Sequence, residues 1–171
     1  MLDKILVTYA SRAGSTASVA EAIGKTLVNN GAQVDVLPMK DVKDLAAYRA
    51  VVAGSAIRGA KWLPEAMQFM QTHQAALSHK PFAAFMVCIT LAMPKAENYR
   101  DGLRDWMKPV RELVKPVSEG YFAGALDFSK LPVTPNVLLM RVAVALGVFP
   151  QGDHRNWNAI RAWANGLTAK L

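Results

Sequence analysis

The sequence predicts an α/β domain built on a doubly wound, five-stranded parallel sheet with helices on both faces. Two observations carry that expectation and a third narrows it. Short, nearly continuous apolar runs alternate with longer segments in which apolar residues recur every three or four positions. Such alternation implies right-handed β-α-β units, and strands that are apolar throughout are strands covered on both faces. The length then decides the architecture: 171 residues suffice for one well-buried domain but fall short of the roughly 250 residues typical of an α/β barrel. No repeat, low-complexity stretch or linker divides the chain, so residues 1–171 read as one domain.

The elements follow in order. Residues 4–9 (KILVTY) form the first strand. A helix over 15–29 places Ala17, Val19, Ala20, Ile23 and Leu27 on one side, and Gly31 stops it. Gln33 to Leu37 and Ala50 to Ser55 (AVVAGS) are the second and third strands. Residues 64–77 read as helix, with Pro64 suited to its first turn. Phe82 to Thr90 is the fourth strand, and 97–115 the next helix, which Pro109 should kink or break. Tyr121 to Leu126 ends a fifth strand. Residues 134–147 (TPNVLLMRVAVALG) form an extra apolar helix, capped by Thr134, started by Pro135 and ended by Gly147. The closing helix, 156–170, sets Trp157, Ile160, Trp163, Ala164 and Leu167 on one side.

Composition narrows the function classes. Apolar residues at 52% and charged residues at 19% describe a folded globular chain. Cys88, the single cysteine, sits in the apolar run FAAFMVCI, where a buried, inert thiol is expected. With no internal disulfide available, a cytoplasmic protein is expected. The N-terminal MLDKILVTYAS has neither the length nor the cleavage site of a signal peptide. No apolar run reaches the roughly 18–20 residues that span a bilayer. Twenty Lys and Arg against 13 Asp and Glu give a net charge of +7, which favours acidic partners. Nucleic acid is not expected, because no zinc-ligand set, RNP-like aromatic motif or basic tail accompanies the charge. His73, His79 and His154 lack metal-ligand spacing.

Ligands of open parallel sheets bind outside the carboxyl ends of the strands. The segments after Tyr9, Ser55 and Thr90 therefore matter most. The first, Ser11-Arg12-Ala13-Gly14-Ser15-Thr16, packs three hydroxyls, a cation and a glycine against a helix start. Free N–H groups there carry positive partial charge and suit a phosphate. The spacing matches neither a Walker A loop nor GxGxxG. An ordinary turn, capped by Ser15 or Thr16, is the other reading.

ILVTYASRAGSTASVAEAI resembles the phosphate-loop signature of flavodoxins: an apolar strand, an aromatic residue, then S-x-x-G-x-T entering a helix. The resemblance implies the strand order 2-1-3-4-5, a bound flavin mononucleotide (FMN), and phosphate contacts from Ser11, Arg12, Ala13, Gly14, Ser15 and Thr16. Flavodoxins usually carry Thr-Thr-Gly-Asn where this chain has Arg12-Ala13-Gly14-Ser15. The Ser11-Arg12 pair is similar to the loop of flavodoxin-type, menaquinone-dependent protoporphyrinogen oxidases. VVAGSAIRGAKWLPEAMQFM, KPFAAFMVCITLA, AGALDF and NWNAIRAWA continue that similarity in order along most of the chain.

By the same resemblance, Ser55, Ala56, Ile57 and Arg58 flank the flavin ring. Trp62 either stacks on the ring or packs inside the protein. Thr90, Leu91 and Ala92 hold the ring's pyrimidine side, with Leu91 or Met93 covering one face. No aromatic stands in this loop unless Tyr99 reaches back, which leaves a ring face open. The implied activity is an FMN-dependent oxidoreductase that passes electrons from a hydrophobic, acidic small-molecule substrate to a quinone. The alternative is a flavodoxin, an FMN electron-transfer protein that serves a redox partner and has no substrate of its own. Electron-carrier flavodoxins are typically acidic, and this chain is basic.

Arg100, Arg104, Lys108, Arg111 and Lys115 recur at helical spacing behind Leu103, Met107, Val110 and Val114. That 100–115 face is either solvated or docks on anionic lipid. The 134–147 helix, charged only at Arg141, must be covered by the core, by a second copy in a homodimer, or by lipid. Lipid contact at either place would make the protein peripheral at the inner face of the membrane.

Overall fold

The computed structural model describes residues 4–171, with the side chain of Tyr99 outside the description; the expectation that Tyr99 reaches back lies outside it too. Five parallel strands form the sheet: β1 (Lys4–Ala10), β2 (Gln33–Pro38), β3 (Tyr48–Arg58), β5 (Phe82–Cys88) and β6 (Ser118–Ala123). Their spatial order is β2-β1-β3-β5-β6, the doubly wound order expected from the sequence. A two-residue strand, β4 (Lys61–Trp62), pairs antiparallel with the end of β3.

The apolar runs form strands because both sheet faces are covered. In β1, Leu6 packs into a cluster with α2 (Pro64–Thr72), α4 (Arg100–Asp105) and α5 (Lys108–Leu113), which lie on one face. Ile5 and Val7 pack into the opposite cluster with α1 (Ser15–Asn29) and α7 (Trp157–Leu167). Every residue of β5 is buried. The aromatic residues of that second cluster interlock: Phe85, Phe122 and Trp163 lie with ring centroids 5.6–6.3 Å apart, two of the pairs edge to face.

Several expected boundaries move. The segment 64–77 divides at His73 into α2 and a single turn, α3 (Gln74–Leu77). The 97–115 segment divides into a 3-10 turn (Ala96–Tyr99), α4 and α5, with Pro109 in the first turn of α5. The fifth strand, Ser118–Ala123, ends three residues before its expected close at Leu126. The expected end, Ala125–Leu126, instead forms β7, which pairs antiparallel with β8 (Gly152–Asp153). Between them, α6 (Pro135–Ala145) starts as expected, with the Thr134 hydroxyl accepting from Val137 N–H at 3.3 Å. It is not a core helix: only Val137 is buried, while Leu138, Leu139, Val142 and Leu146 are 50–75% exposed. Among the described residues no helix is long and apolar enough to cross a membrane.

Gly54 of β3 lies opposite Phe85 in the register, and a Cβ there would stand 2.1 Å from the Phe85 ring. Phe122 and Trp163 hold that ring, so it has nowhere to go. Gly54→Ala should therefore lower stability by about 1–3 kcal/mol, the usual cost of overpacking, measured as a fall in the urea midpoint. Gly102→Ala, in open space on α4, should instead raise stability by about 0.5–1 kcal/mol.

β6 is tied to α5 by a charged network. Arg111 donates to both carboxylate oxygens of Glu119 at 2.6 and 2.8 Å, and the Tyr121 hydroxyl donates to the same carboxylate. Burial, reinforced by that bond to Glu119, pushes the Tyr121 phenol up to about 12. A raised folded pKa gives stability that is present below the unfolded value near 10 and is lost as pH rises through the folded one. Tyr121→Phe should be less stable than the parent at neutral pH, and the gap should close between about pH 10 and about 12. Denaturation midpoints of both proteins across that range check it.

Candidate functional site

Three segments meet at the carboxyl ends of the central strands. After β1 the chain turns through Ser11–Gly14 and enters α1 at Ser15. Gly14 is the N-cap and is left-handed, with φ 88°, a conformation that strains a residue with a side chain. Its N–H donates to the Ser11 hydroxyl at 3.1 Å, and its carbonyl accepts from the Ser18 hydroxyl at 3.1 Å. No side chain caps α1, so capping by Ser15 or Thr16 is not what this loop does. The first turn also holds no acidic residue, so its positive partial charge stands uncompensated. Thr16 is fully buried there, and its hydroxyl has no hydrogen-bond partner. A buried hydroxyl left unpaired costs about 1–3 kcal/mol.

The second segment is not the loop expected from the sequence. Ser55, Ala56, Ile57 and Arg58 continue β3, and Gly59 and Ala60 make a two-residue reversal into β4. Both have positive φ (55° and 62°), the signature of a type I′ hairpin turn. Ala56, Ile57 and Arg58 border the cleft. The Ser55 side chain does not: its buried hydroxyl accepts from Leu63 N–H at 3.0 Å and donates to the Ala56 carbonyl at 2.7 Å. Trp62 is 4% exposed and packs in the core beside α2, so the packing alternative holds and it offers no free face for stacking.

After β5, Ile89–Ala92 form a 3-10 turn. Cys88 and Ile89 border the cleft, and Cys88 is buried, as expected. Leu91 lines a different cavity, and Thr90 and Ala92 line neither. The cleft, about 130 Å³, gathers Ser11, Arg12, Ala13 and Ser15 from the first loop and Ala56–Arg58 from β3. Gly124–Asp127, Leu131 and Met140 complete it. A second cavity of about 210 Å³ shares Ala13, Ser15, Ala125 and Asp127 with it. That second space reaches Gly14 and Ser18 on one side and Lys130 and Arg155 on the other.

The charges are largely paired. Arg12 makes a two-pronged ion pair with Glu65 of α2, which holds the Glu65 carboxyl below the usual range. This pair straps the first loop to α2 instead of leaving the guanidinium free. Arg155 grips Asp153 through two bonds of 2.7 and 2.6 Å and lies 4.6 Å over the Trp157 ring. The grip holds the Asp153 carboxyl down to about 2. Lys130 stands 3.8 Å from Asp127. Arg58 is in no ion pair among the described residues.

Of the residues singled out in the sequence, Ser11–Ser15 and 56–58 line these two spaces and Thr16 lines neither, while Gly124–Asp127, Lys130, Leu131, Met140 and Arg155 line them without having been singled out as contacts. AGALDF stood out as a pattern without a role. Arg155 and Lys130 reach the helix start through the β7–β8 ladder, whose two-residue strands carry no periodicity.

A flavodoxin domain family model matches residues 6–143. No curated protein matches the sequence. Among solved structures, the chain is similar to oxidised flavodoxin 2 from Bacillus cereus, at 21% identity over 98% of this chain and 99% of that one, with a TM-score of 0.61. It is similar also to the flavodoxin of Streptococcus pneumoniae TIGR4, at 16% identity, 98% and 99% coverage, and a TM-score of 0.60. A flavodoxin from the domain Archaea shares 23% identity over 85% of this chain and 95% of that one, with a TM-score of 0.51. Likenesses of this size speak for the fold, and it is the family match, running from the first strand into α6, that establishes kinship: the chain belongs to the flavodoxin domain family.

Proposed function

We propose that this protein binds FMN in the cleft at the carboxyl ends of β1, β3 and β5 and transfers electrons to and from a redox partner. The observation that carries the reading is the first turn of α1. Its N-terminus has no capping side chain, a left-handed glycine opens the backbone, and a buried threonine hydroxyl lacks a partner. A phosphate supplies an acceptor for the free N–H groups of that turn and for the Thr16 hydroxyl. When bound, FMN supplies the redox chemistry, and the chain supplies position and electrostatics.

The residues present fit that group. Ser11, Gly14, Ser15 and Thr16 would hold the phosphate, and Lys130 and Arg155, each paired with an aspartate, stand at the far wall. Ile57, Leu131 and Met140 give the neighbouring space apolar walls that exclude water. Arg58 places a cation at its rim, which favours added negative charge in the cleft. The net charge of +7 favours an acidic partner.

A second reading is an oxidoreductase of the protoporphyrinogen oxidase kind, taking electrons from a hydrophobic acid and giving them to a quinone. One observation favours it. Met140 of α6 lines the cleft, while Leu138, Leu139 and Val142 of the same helix and Leu146 just after it face solvent, an apolar stretch beside the site. Such a stretch suits an apolar electron acceptor or a lipid surface. Reduction of bound FMN by substrate alone, without a protein donor, would favour this second reading over the first.

Purified protein should retain flavin absorbance after FMN is added and the unbound fraction removed; a colourless product would overturn the proposal. Thr16→Val keeps the volume and removes the hydroxyl, and should weaken FMN binding about tenfold or more, as for a lost hydrogen bond to a charged group. Arg12→Ala should weaken it less, by under about threefold, because Glu65 already holds the guanidinium. Flavin fluorescence quenching gives both dissociation constants.

A further inference from the structure

The open edge of the sheet carries a cavity of about 260 Å³ that shares no lining residue with the cleft. β6 has β5 as its sole partner in the sheet, and the cavity wraps over that unpaired edge. Glu119 and Tyr121 line it from one face of the strand, Gly120 and Phe122 from the other. The Ile89–Ala92 turn divides the two spaces, with Ile89 in the cleft and Leu91 in the edge cavity.

The charges in this cavity do not balance. Glu119 is the acidic residue of its lining, and Arg111 and the Tyr121 hydroxyl already occupy both of its oxygens. Arg100 and Arg104 also line it, and among the described residues neither makes an ion pair or a side-chain hydrogen bond. They stand four residues apart on α4, on one face, where like charges repel. Asp101 stands three residues before Arg104, within reach on the helix surface, and Arg104 also helps to hold the Glu119 carboxyl below its usual range, while Asp105 follows Arg104 by one position and faces elsewhere. An anion between the two guanidinium groups would relieve the repulsion. The remaining walls are apolar, and a space of this size, at the low end for ligand sites, takes a compact molecule.

We propose that the edge cavity binds a compact organic carboxylate with a flat apolar body, its carboxylate between Arg100 and Arg104 and its body against Leu91, Leu103, Phe122 and Trp163. Arginine suits the first task because its planar fork matches a carboxylate. Phe122 and Trp163, 5.6 Å apart and edge to face, suit the second. The site stands on its own residues and does not depend on FMN in the cleft.

Calorimetric titration of the full chain tests it, with 2-naphthoate as probe and the neutral 2-naphthamide as its control of the same shape. The acid should bind saturably, one per chain, and at least about tenfold more tightly than the amide. The double variant Arg100→Gln, Arg104→Gln should lose at least about tenfold in acid affinity, while its thermal unfolding shows the fold intact. Acetate, which has the charge but no body, should fail to displace 2-naphthoate at equal concentration. Equal affinity for acid and amide, affinity unmoved by the double substitution, displacement by acetate, or no binding by the parent protein would each overturn the proposal.

Discussion

The upper end of this sheet is organised around the start of α1, which has no side-chain cap. A helix start without a cap leaves N–H donors whose positive partial charge must meet water or an anion. Here the sequence supplies neither an acidic residue nor a capping side chain. The left-handed Gly14 keeps the approach to those donors free of a Cβ, and the ring of segments around it supplies walls and cations. The chain tolerates the local instability because β1, α1 and β3 are among the best buried parts of the molecule. An anion held there would return the lost hydrogen bonds, so the turn that weakens the fold is also the one an anion would strengthen.

Two further features depend on that arrangement. The Arg12–Glu65 pair straps the turn to α2, fixing its position relative to the second face of the sheet. Being largely exposed, the pair matters more for geometry than for stability. The β3–β4 hairpin plays the matching part on the other side: the Ser55 hydroxyl locks its base, and Gly59 and Ala60 accept the positive φ that a two-residue reversal demands. The cleft thus has two tied walls. Its outer side, α6, meets the protein mainly through Val137 and Met140 and leaves most of its apolar surface to solvent.

Much of this was legible in the sequence. The doubly covered strands announced themselves as continuous apolar runs, because a strand buried on both faces has no polar alternation to display. Ser11–Thr16 left two readings open, a phosphate loop and a capped turn, and the absence of a side-chain cap on α1 removes the second. What stayed hidden was non-local. Nothing in Ala125–Leu126 or Gly152–Asp153 distinguishes a ladder from a loop, yet their pairing carries Arg155 toward α1. The third strand runs past AVVAGS to Arg58, because it continues into a hairpin with β4 that local sequence does not announce. Trp62 left two roles open, and only burial chose between them. For α6, local sequence specified the helix and its caps but not whether the core would cover it.

Phosphate recognition by the first turn of α1 is the property on which this reading stands. Comparing FMN with riboflavin, which shares the ring system and lacks the phosphate, tests it most directly. Dissociation constants should differ by about a hundredfold or more in favour of FMN, as several charge-assisted bonds to one anion would give. Equal affinity for the two flavins would contradict the account and place recognition in the apolar part of the cleft alone.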